Sequence, residues 1–207
     1  MIMYSIYNQG SSPSYPTFLL LHGTGGRETD LLPIAQRVDM KNAILGVRGE
    51  VSEDGQNRFF KRHSDGSPDV EDLMERTDDL HDFIDKAAEK YSFDRNNVIA
   101  MGYSNGANVA ASLMIQHGKT MKGAILFHPM ILQENTQLPD LSGMPIFMSA
   151  GALDSRVIPG DTMKLKRMLE SVGADVTLHI TDYGHELVES EVEEAVQWYR
   201  EHMALSE

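Results

Sequence analysis

The stretch Gly102-Tyr103-Ser104-Asn105-Gly106 places one serine between two glycines, where an apolar run meets a helical pattern of small residues. A strand that turns sharply into a helix strains its turn residue, and glycines two residues to each side make room for that turn. The Ser104 hydroxyl then stands exposed, and the Asn105 N–H begins a helix without an intrahelical partner. This arrangement suits a nucleophile, although a tight turn with a helix-capping serine gives the same pattern.

A serine nucleophile needs a general base, usually a histidine that a carboxylate orients. Among eight histidines, His185 differs because "TDYGHEL" lies between the last predicted strand and the last predicted helix, where Gly184 makes room beside it. Asp154, in "SAGALDSRVIP", follows the preceding predicted strand in the same way. A loop histidine and a turn aspartate also explain these two positions. The order Ser104, Asp154, His185 is the order found in α/β-hydrolases.

A fourth stretch, "LLLHGTGG" (19–26), follows the first central strand. Acyl transfer needs two donors for the oxyanion, and we expect the N–H groups of Thr24 and Asn105 to supply them. The stretch does not match a dinucleotide-binding motif, because Glu28 stands where the third glycine belongs. It does not match a phosphate-binding loop either, because Gly-Lys-Ser/Thr is absent. We expect His22 to brace this loop by hydrogen bonding rather than to react.

These residues must be positioned by the elements between them. Apolar runs alternate with amphipathic patterns, which predicts βαβ units, a mostly parallel sheet and one domain over residues 1–207. In such sheets ligands bind at the carboxyl ends of the strands, where all the candidate residues fall. The predicted strands are 17–23, 42–47, 97–103, 123–129, 144–151 and 175–180, and the predicted helices are 30–38, 70–91, 105–118, 160–173 and 186–203.

The polar connection 48–69 is long, and long connections in compact domains are often functional. It contains "NRFFKRHS" (57–64), a cationic and aromatic stretch in an acidic chain. We expect Phe59 and Phe60 to wall a substrate pocket, and Arg58, Lys61 or Arg62 to lie at its rim. The alternative is that the aromatic pair anchors the loop to the core. Any lid must come from this segment, so an open site is expected.

The composition excludes several classes of function. A formal net charge of −13 argues against nucleic acid and anionic membrane surfaces as partners. No apolar run reaches membrane-spanning length and the N-terminus lacks a secretory pattern, so a cytoplasmic protein without stable membrane insertion is expected. The absence of cysteine excludes disulfides, thiolate zinc sites and a cysteine nucleophile. We expect neither a metal nor an organic cofactor.

Four motifs together, "LLLHGTGG", "GYSNGAN", "GALDSRVIP" and "YGHEL", resemble the phospholipase/carboxylesterase family of small α/β-hydrolases. With "RFFKR", they resemble a bacterial carboxylesterase-like branch that is similar to acyl-protein thioesterases and to hydrolases associated with hydroquinone stress. The resemblance implies an α/β-hydrolase fold with helices on both faces of the sheet and no large cap domain. It also implies ester hydrolysis by Ser104, Asp154 and His185, and it favours a homodimer.

The resemblance leaves the substrate open. Acyl-protein thioesterases carry glutamine after the nucleophile where this chain has Asn105, a difference that affects substrate preference rather than chemistry. We expect hydrolysis of small or medium acyl and aromatic esters. Acyl-thioesterase, lysophospholipase and dienelactone hydrolase-type activities are the enzymatic alternatives. A non-catalytic ligand-binding relative of the same fold is the alternative from another class, because fold alone does not establish function.

Overall fold

The computed structural model describes residues 3–134 and 136–203 and contains a seven-stranded sheet in the order β1-β3-β2-β6-β7-β8-β9. The strand β1 pairs antiparallel with β3 at one edge, and the other neighbouring pairs are parallel. The sheet strands are β1 (Ser5–Asn8), β2 (Thr17–Leu21), β3 (Ala43–Val47), β6 (Val98–Tyr103), β7 (Gly123–Phe127), β8 (Pro145–Gly151) and β9 (Asp175–Thr181).

Helices cover both faces of this sheet, because its central strands are apolar on both sides and must be buried on both. One apolar cluster joins the sheet to α2, α3 and α4, and a second joins it to α1 and α5. The predicted α/β-hydrolase fold class is therefore confirmed. The helices are α1 (Leu32–Val38), α2 (Val70–Tyr91), α3 (Asn105–His117), α4 (Pro159–Glu170) and α5 (Glu189–His202).

The long connection 48–69 begins with a hairpin of β4 (Val51–Glu53) and β5 (Gln56–Arg58), which is separate from the main sheet. The hairpin lies against the loop after β2, because Gly25 donates its N–H to the Asn57 carbonyl at 2.8 Å. The Asn57 side-chain amide in turn donates to the Gly26 carbonyl at 2.9 Å. The segment is thereby held over the carboxyl ends of the strands. None of the helices in the described part of the chain is long and apolar enough to cross a membrane.

Candidate active site

The turn from β6 into α3 holds Ser104 in a strained backbone conformation, with φ 52° and ψ −113°. Few residues other than glycine adopt this conformation, and it persists only where the surroundings enforce it. Hydrogen bonds on both sides of the Ser104 backbone enforce the conformation. Ser104 donates its N–H to the Phe127 carbonyl of β7 at 2.9 Å, and Asn108 of α3 donates to the Ser104 carbonyl at 3.0 Å.

The two flanking glycines are required by close backbone packing. A Cβ atom at Gly102 would lie 2.6 Å from the N atom of Ala107 and from the carbonyl oxygen of Gly106. A Cβ atom at Gly106 would lie 1.9 Å from the carbonyl oxygen of Leu21 in β2. Real Cβ atoms do not approach backbone this closely. The glycines therefore allow α3 to start directly against the ends of β2 and β6.

Gly106→Ala is expected to lower the free energy of unfolding by at least about 3 kcal/mol, because the clash is with backbone that cannot rotate away. Chemical denaturation measures this loss. Gly160→Ala in α4 is the matched control, since a Cβ at position 160 meets nothing within 4 Å. Alanine there is expected to leave stability unchanged or to raise it by about 0.5–1 kcal/mol. A fully stable Gly106→Ala protein would contradict the packing described.

The structure brings Ser104, His185 and Asp154 together in one hydrogen-bonded chain. The Oγ atom of Ser104 lies 2.9 Å from Nε2 of His185. On the other side of the ring, Nδ1 of His185 lies 2.7 Å from Oδ2 of Asp154. The Asp154 side chain is fully buried, whereas 13% of the His185 side chain is exposed. The ring therefore bridges a buried carboxylate and a hydroxyl at the floor of a cleft.

Four donors surround the Asp154 carboxylate. Its Oδ1 atom accepts the N–H groups of Arg156 at 2.8 Å and Val157 at 2.9 Å, and Oδ2 faces the rings of His185 and His128. Burial alone raises the pKa of Asp154, but these hydrogen bonds outweigh it and bring the pKa below its usual value. Asp154 is therefore a carboxylate throughout the neutral range.

The loop that carries His185 is fixed from two sides. The hydroxyl of Tyr103 donates to the His185 carbonyl at 2.6 Å, so the residue before Ser104 also holds the histidine loop. The end of β8 approaches the same loop closely, because a Cβ at Gly151 would lie 2.1 Å from the Gly184 carbonyl oxygen. The sequence predicted that Gly184 makes the room here. The closest approach is instead at Gly151, where a side chain on the end of β8 would collide with the loop that carries His185.

The loop after β2 packs against the turn that holds Ser104, since a Cβ at Gly23 would lie 2.8 Å from the Tyr103 ring. Nδ1 of His22 lies 2.6 Å from the Gly23 carbonyl oxygen, and Nε2 of His22 accepts the N–H of Gly49 at 3.0 Å. Burial is the main cause that lowers the pKa of His22, and a neutral ring is what an accepting Nε2 requires. His22 thus braces the loop by hydrogen bonding, as predicted. The Thr24 hydroxyl is held by Nη1 of Arg58 at 2.8 Å.

A cleft of about 520 Å³ opens over Ser104 and His185. The loop after β2, the connection 48–69, the start of α3 and the segments after β7 and β8 line it. Ligand sites are typically clefts of this size. Its lining residues are Thr24, Gln56, Arg58, Phe60, Arg62, Gly66, Pro68, Ser104, Asn105, Asn108, Met130, Arg156, Val157 and His185.

The expected role of Phe59 as a pocket wall is wrong. Its ring is 5% exposed and packs on His22, at 4.8 Å between ring centroids, on the core side of the loop. The Phe59 N–H donates to the side-chain oxygen of Asn105 at 2.7 Å, which ties the connection to α3. Phe60 is buried in the same apolar cluster, and it also borders the cleft, whereas Phe59 does not.

The cations of the same stretch also differ in position. Arg58 is 7% exposed and is not a rim residue, although it reaches the cleft lining beside Thr24. Arg62 lies at the rim and is paired with Glu53 at 3.0 Å. Lys61 is absent from the lining and pairs with Asp72 of α2 at 2.9 Å.

Comparison with known proteins gives the chain its family. A model described as "Dienelactone hydrolase family" matches residues 52–202. The chain belongs to the dienelactone hydrolase family. The protein MhqD of Bacillus subtilis (strain 168) is 47% identical over 199 residues, which cover 96% of this chain and 98% of MhqD. Hydrolase chemistry of the carboxylesterase or dienelactone hydrolase type follows from this membership and from the structures below.

The solved structures that are similar to this family member include a carboxylesterase. The Bacillus cereus carboxylesterase is 46% identical with a TM-score of 0.95, and the match covers 98% of this chain and 95% of that one. A structure of YahD with malic acid is 33% identical with a TM-score of 0.92, covering 97% and 100%. The resemblance to small carboxylesterase-like hydrolases is confirmed. A homodimer, a cytoplasmic location and a link to hydroquinone stress stay predictions.

Two residues of this dienelactone hydrolase family member were not assigned from its sequence. His128 lies at the end of the predicted strand 123–129, and Glu191 lies within the predicted helix 186–203. Both are fully buried in the structure. Nδ1 of His128 lies 3.0 Å from Oδ2 of Asp154, and Nε2 lies 2.9 Å from Oε1 of Glu191. A strand-end histidine was the one available signal.

His128, Asp154 and His185 form the group of side chains, among residues 3–134 and 136–203, with the spacing to hold a metal ion. The nitrogen–oxygen distances of 2.7 and 3.0 Å are those of hydrogen bonds. The shared carboxylate oxygen thus has both imidazoles as donors, and the second oxygen has two backbone N–H groups. Hydrogen bonding accounts for every ligand atom of the cluster.

Proposed function

We propose that this protein hydrolyses carboxylic esters through an acyl-enzyme on Ser104. The observation that carries the proposal is the chain of hydrogen bonds from Ser104 through His185 to Asp154, which begins on a strained turn and opens into the cleft. A structural serine has no need of a strained turn, a histidine at 2.9 Å and a buried carboxylate behind it. The hydrolase family and the carboxylesterase neighbours support the same chemistry.

The geometry supports the following sequence of bonds. Nε2 of His185 takes the proton of Ser104 as Oγ bonds to the ester carbonyl carbon, and the carbonyl oxygen becomes an oxyanion. His185 then gives that proton to the alcohol oxygen as the carbon–oxygen bond breaks, leaving an acyl-serine. Water attacks the acyl group by the same route and releases the acid. Asp154 holds the imidazole in the tautomer that leaves Nε2 free and stabilises its charged form.

The N–H groups of Thr24 and Asn105 are proposed to hold the oxyanion. Both residues line the cleft with Ser104, and Asn105 is the first residue of α3, where N–H groups have no intrahelical partner. Among the described residues, no carbonyl accepts a hydrogen bond from either group. The contacts of their side chains, Thr24 with Arg58 and Asn105 with Phe59, tie both residues to the connection 48–69.

The charge of the cleft points to esters that carry a carboxylate. Three arginines, Arg58, Arg62 and Arg156, line it, and the described lining contains no acidic residue, in a chain of net charge −13. Two of them, Arg58 and Arg62, pair with Glu53 outside the lining, at 3.5 and 3.0 Å. Arginine binds carboxylates through a planar pair of donors. Arg156 is exposed and, among the described side chains, none pairs with its guanidinium. The related YahD structure contains malic acid, a dicarboxylic acid, which agrees with this preference.

Arg156→Gln is expected to raise KM about tenfold for a monoester of a short dicarboxylic acid, because a charged hydrogen bond contributes roughly 1.5–3 kcal/mol. The KM for the neutral ester of equal length should change by less than about twofold. Arg200→Gln on α5 is the matched control, since it makes the same change in net charge away from the cleft. Steady-state kinetics on both esters decide the point. Equal changes in KM for the two esters would contradict an anion-binding cleft.

A panel of p-nitrophenyl esters and acyl-thioesters of increasing chain length tests the proposed function. We expect the highest kcat/KM on short oxygen esters, because the cleft lining has three arginines and few apolar side chains that could hold a long acyl chain. Preincubation with EDTA should leave the activity unchanged. Activity confined to thioesters or long-chain lysophospholipids would replace ester hydrolysis by those activities. Ligand binding without any turnover would support the non-catalytic alternative.

A further inference from the structure

A buried row of ionisable groups continues behind Asp154. His128 follows β7, and Glu191 lies in the first turn of α5. No part of the side chains of His128, Asp154 and Glu191 is exposed to solvent. His128 adopts a φ of 53°, a costly conformation for a non-glycine residue, which places its ring between the two carboxylates. His128 and Glu191 are outside the Ser104–His185–Asp154 chain and join it at Asp154.

The contacts of His128 constrain its protons. Both ring nitrogens of His128 lie within 3.0 Å of a carboxylate oxygen. Nδ1 faces Asp154, and Nε2 faces Glu191. A neutral imidazole has one N–H and can donate to one of these partners only. The other nitrogen would then set its lone pair against a carboxylate oxygen. The ring therefore carries two protons, or one of the carboxylates is protonated.

The surroundings of the carboxylates favour the first case. Asp154 accepts two backbone N–H groups on its other oxygen, which stabilises its charged form. Glu191 accepts the Val188 N–H on Oε2 at 2.9 Å and lies at a helix N-terminus, where negative charge is favoured. Burial by itself lowers the pKa of His128, but the two carboxylates outweigh burial and raise the pKa above its ordinary value.

We propose that His128, held as an imidazolium between Asp154 and Glu191, is a positioning residue that sets both the orientation and the proton affinity of His185. The inference rests on the proposed function, in which His185 is the general base. The cation fixes Oδ2 of Asp154, the same oxygen that meets Nδ1 of His185. Its ring centroid lies 5.3 Å from that of His185, so it also disfavours a positive charge on His185 in the resting enzyme.

The titratable groups around His128 come from every element packed on it. They are Asp154 after β8, Glu191 on α5, His185 before α5 and Tyr103 at the end of β6, whose ring is 5.9 Å from that of His128. In the proposed state Asp154 and Glu191 are negative and His128 is positive. The two carboxylates and the imidazolium then carry one net negative charge together.

Glu191→Gln is the sharpest test, because it keeps the size of the side chain and the net charge of the cluster. With the carboxylate gone, His128 loses one proton and still donates Nδ1–H to Asp154, while Nε2 accepts from the new amide. A neutral His128 no longer opposes protonation of His185. The midpoint of the acid limb of the kcat/KM–pH profile is expected to move to higher pH by about one unit. A merely structural role for Glu191 would lower the melting temperature without moving that midpoint.

Two further measurements complete the test. The imidazole nitrogen chemical shifts of His128 in the unaltered protein should show two N–H groups at pH 7.5, and those of the Glu191→Gln protein should show one. The charge is therefore tested even if the variant does not fold. Glu194→Gln, an exposed position on the same helix, makes the same chemical change and should leave the pH profile in place.

Each outcome tests a different claim: the charge of His128, its positioning role, or the proposed function. A singly protonated His128 at pH 7.5 in the unaltered protein overturns the charge assignment. A folded Glu191→Gln protein whose acid limb stays where it was overturns the positioning role. Retention of activity in Ser104→Ala would instead refute the proposed function and leave the charge of His128 as measured. The inference is supported if the midpoint of the acid limb moves to higher pH in Glu191→Gln but not in Glu194→Gln, and if the His128 ring of Glu191→Gln has lost one N–H.

Discussion

Ser104→Ala is expected to lower kcat for a short ester by four to six powers of ten, because no other group in the cleft is placed to form the acyl-enzyme. The fold should be retained, since alanine removes one hydroxyl and leaves Gly102 and Gly106 in place. Steady-state kinetics and a denaturation curve on the same preparation measure both effects. The residual rate should come from the oxyanion donors and substrate positioning alone.

Ser52→Ala is the control for this experiment. Ser52 lies on the exposed side of the β4–β5 hairpin and is outside the cleft lining, so its loss should change kcat by less than about twofold. A folded Ser104→Ala protein that kept more than a hundredth of the activity would contradict the nucleophile assignment. The comparison also excludes a contaminating esterase, which neither substitution would affect.

Asp154→Asn is expected to lower kcat by three to four powers of ten. The carboxylate accepts from two imidazoles on Oδ2, and an amide would present either a donor to one of them or a weaker, uncharged acceptor to both. Nδ1 of His185 would lose the partner that fixes its tautomer, and loss of that role in related triads has an effect of this size. Asp175→Asn, at an exposed strand start, makes the same chemical change as a control.

The same substitution has a signature in the pH dependence of stability. Because the pKa of Asp154 is below its usual value in the folded protein, its ionisation contributes stability that is present above about pH 4, the unfolded pKa. That contribution is lost as pH falls through the lower, folded pKa. The stability gap between the unaltered protein and Asp154→Asn should therefore narrow below pH 4. A gap that widened on acidification would contradict a carboxylate stabilised by its four donors.

The positions of Ser104, Asp154 and His185 could be predicted because a parallel sheet brings the carboxyl ends of its strands to one edge. Each residue follows a different strand, so the alternation of strands and helices was enough to bring them together. The glycines of the elbow carried the local signal, and the structure gives its physical reason in the contact of Gly106 with the Leu21 carbonyl. The carboxyl-end rule applied equally to His128, but nothing in the sequence supplied its partner.

Glu191 escaped prediction because its neighbours resemble a solvated helix face. In "ELVESEVEEAVQWYREHM" the glutamates at 189, 193 and 194 are exposed, and only the packing of α5 on the sheet buries position 191. Which of several acidic residues is buried depends on how the helix is rotated about its axis. The periodicity of the sequence does not define that rotation closely enough. Phe59 and Phe60 show the same limit, since adjacent side chains in a loop point in directions that only the backbone path decides.

The strand β1 and the β4–β5 hairpin were also missed. The strand has four residues, "SIYN", at an antiparallel edge, and its half-buried residues lack the apolar run that marks the central strands. The hairpin strands have three residues each and few apolar side chains, so a polar turn-rich segment was the natural reading. The strand β1 is held by long-range pairing with β3, and the hairpin by its hydrogen bonds to the loop after β2, rather than by local propensity.

Reaction with a fluorophosphonate probe, followed by peptide mass spectrometry, tests the central claim most directly. The reagent forms a stable adduct with a serine that a neighbouring base activates, and it requires no knowledge of the natural substrate. We expect one adduct per chain on the peptide containing Ser104, loss of esterase activity in proportion to labelling, and no adduct in Ser104→Ala. An adduct on another serine with Ser104 unlabelled, or full activity after complete labelling of Ser104, would contradict that claim.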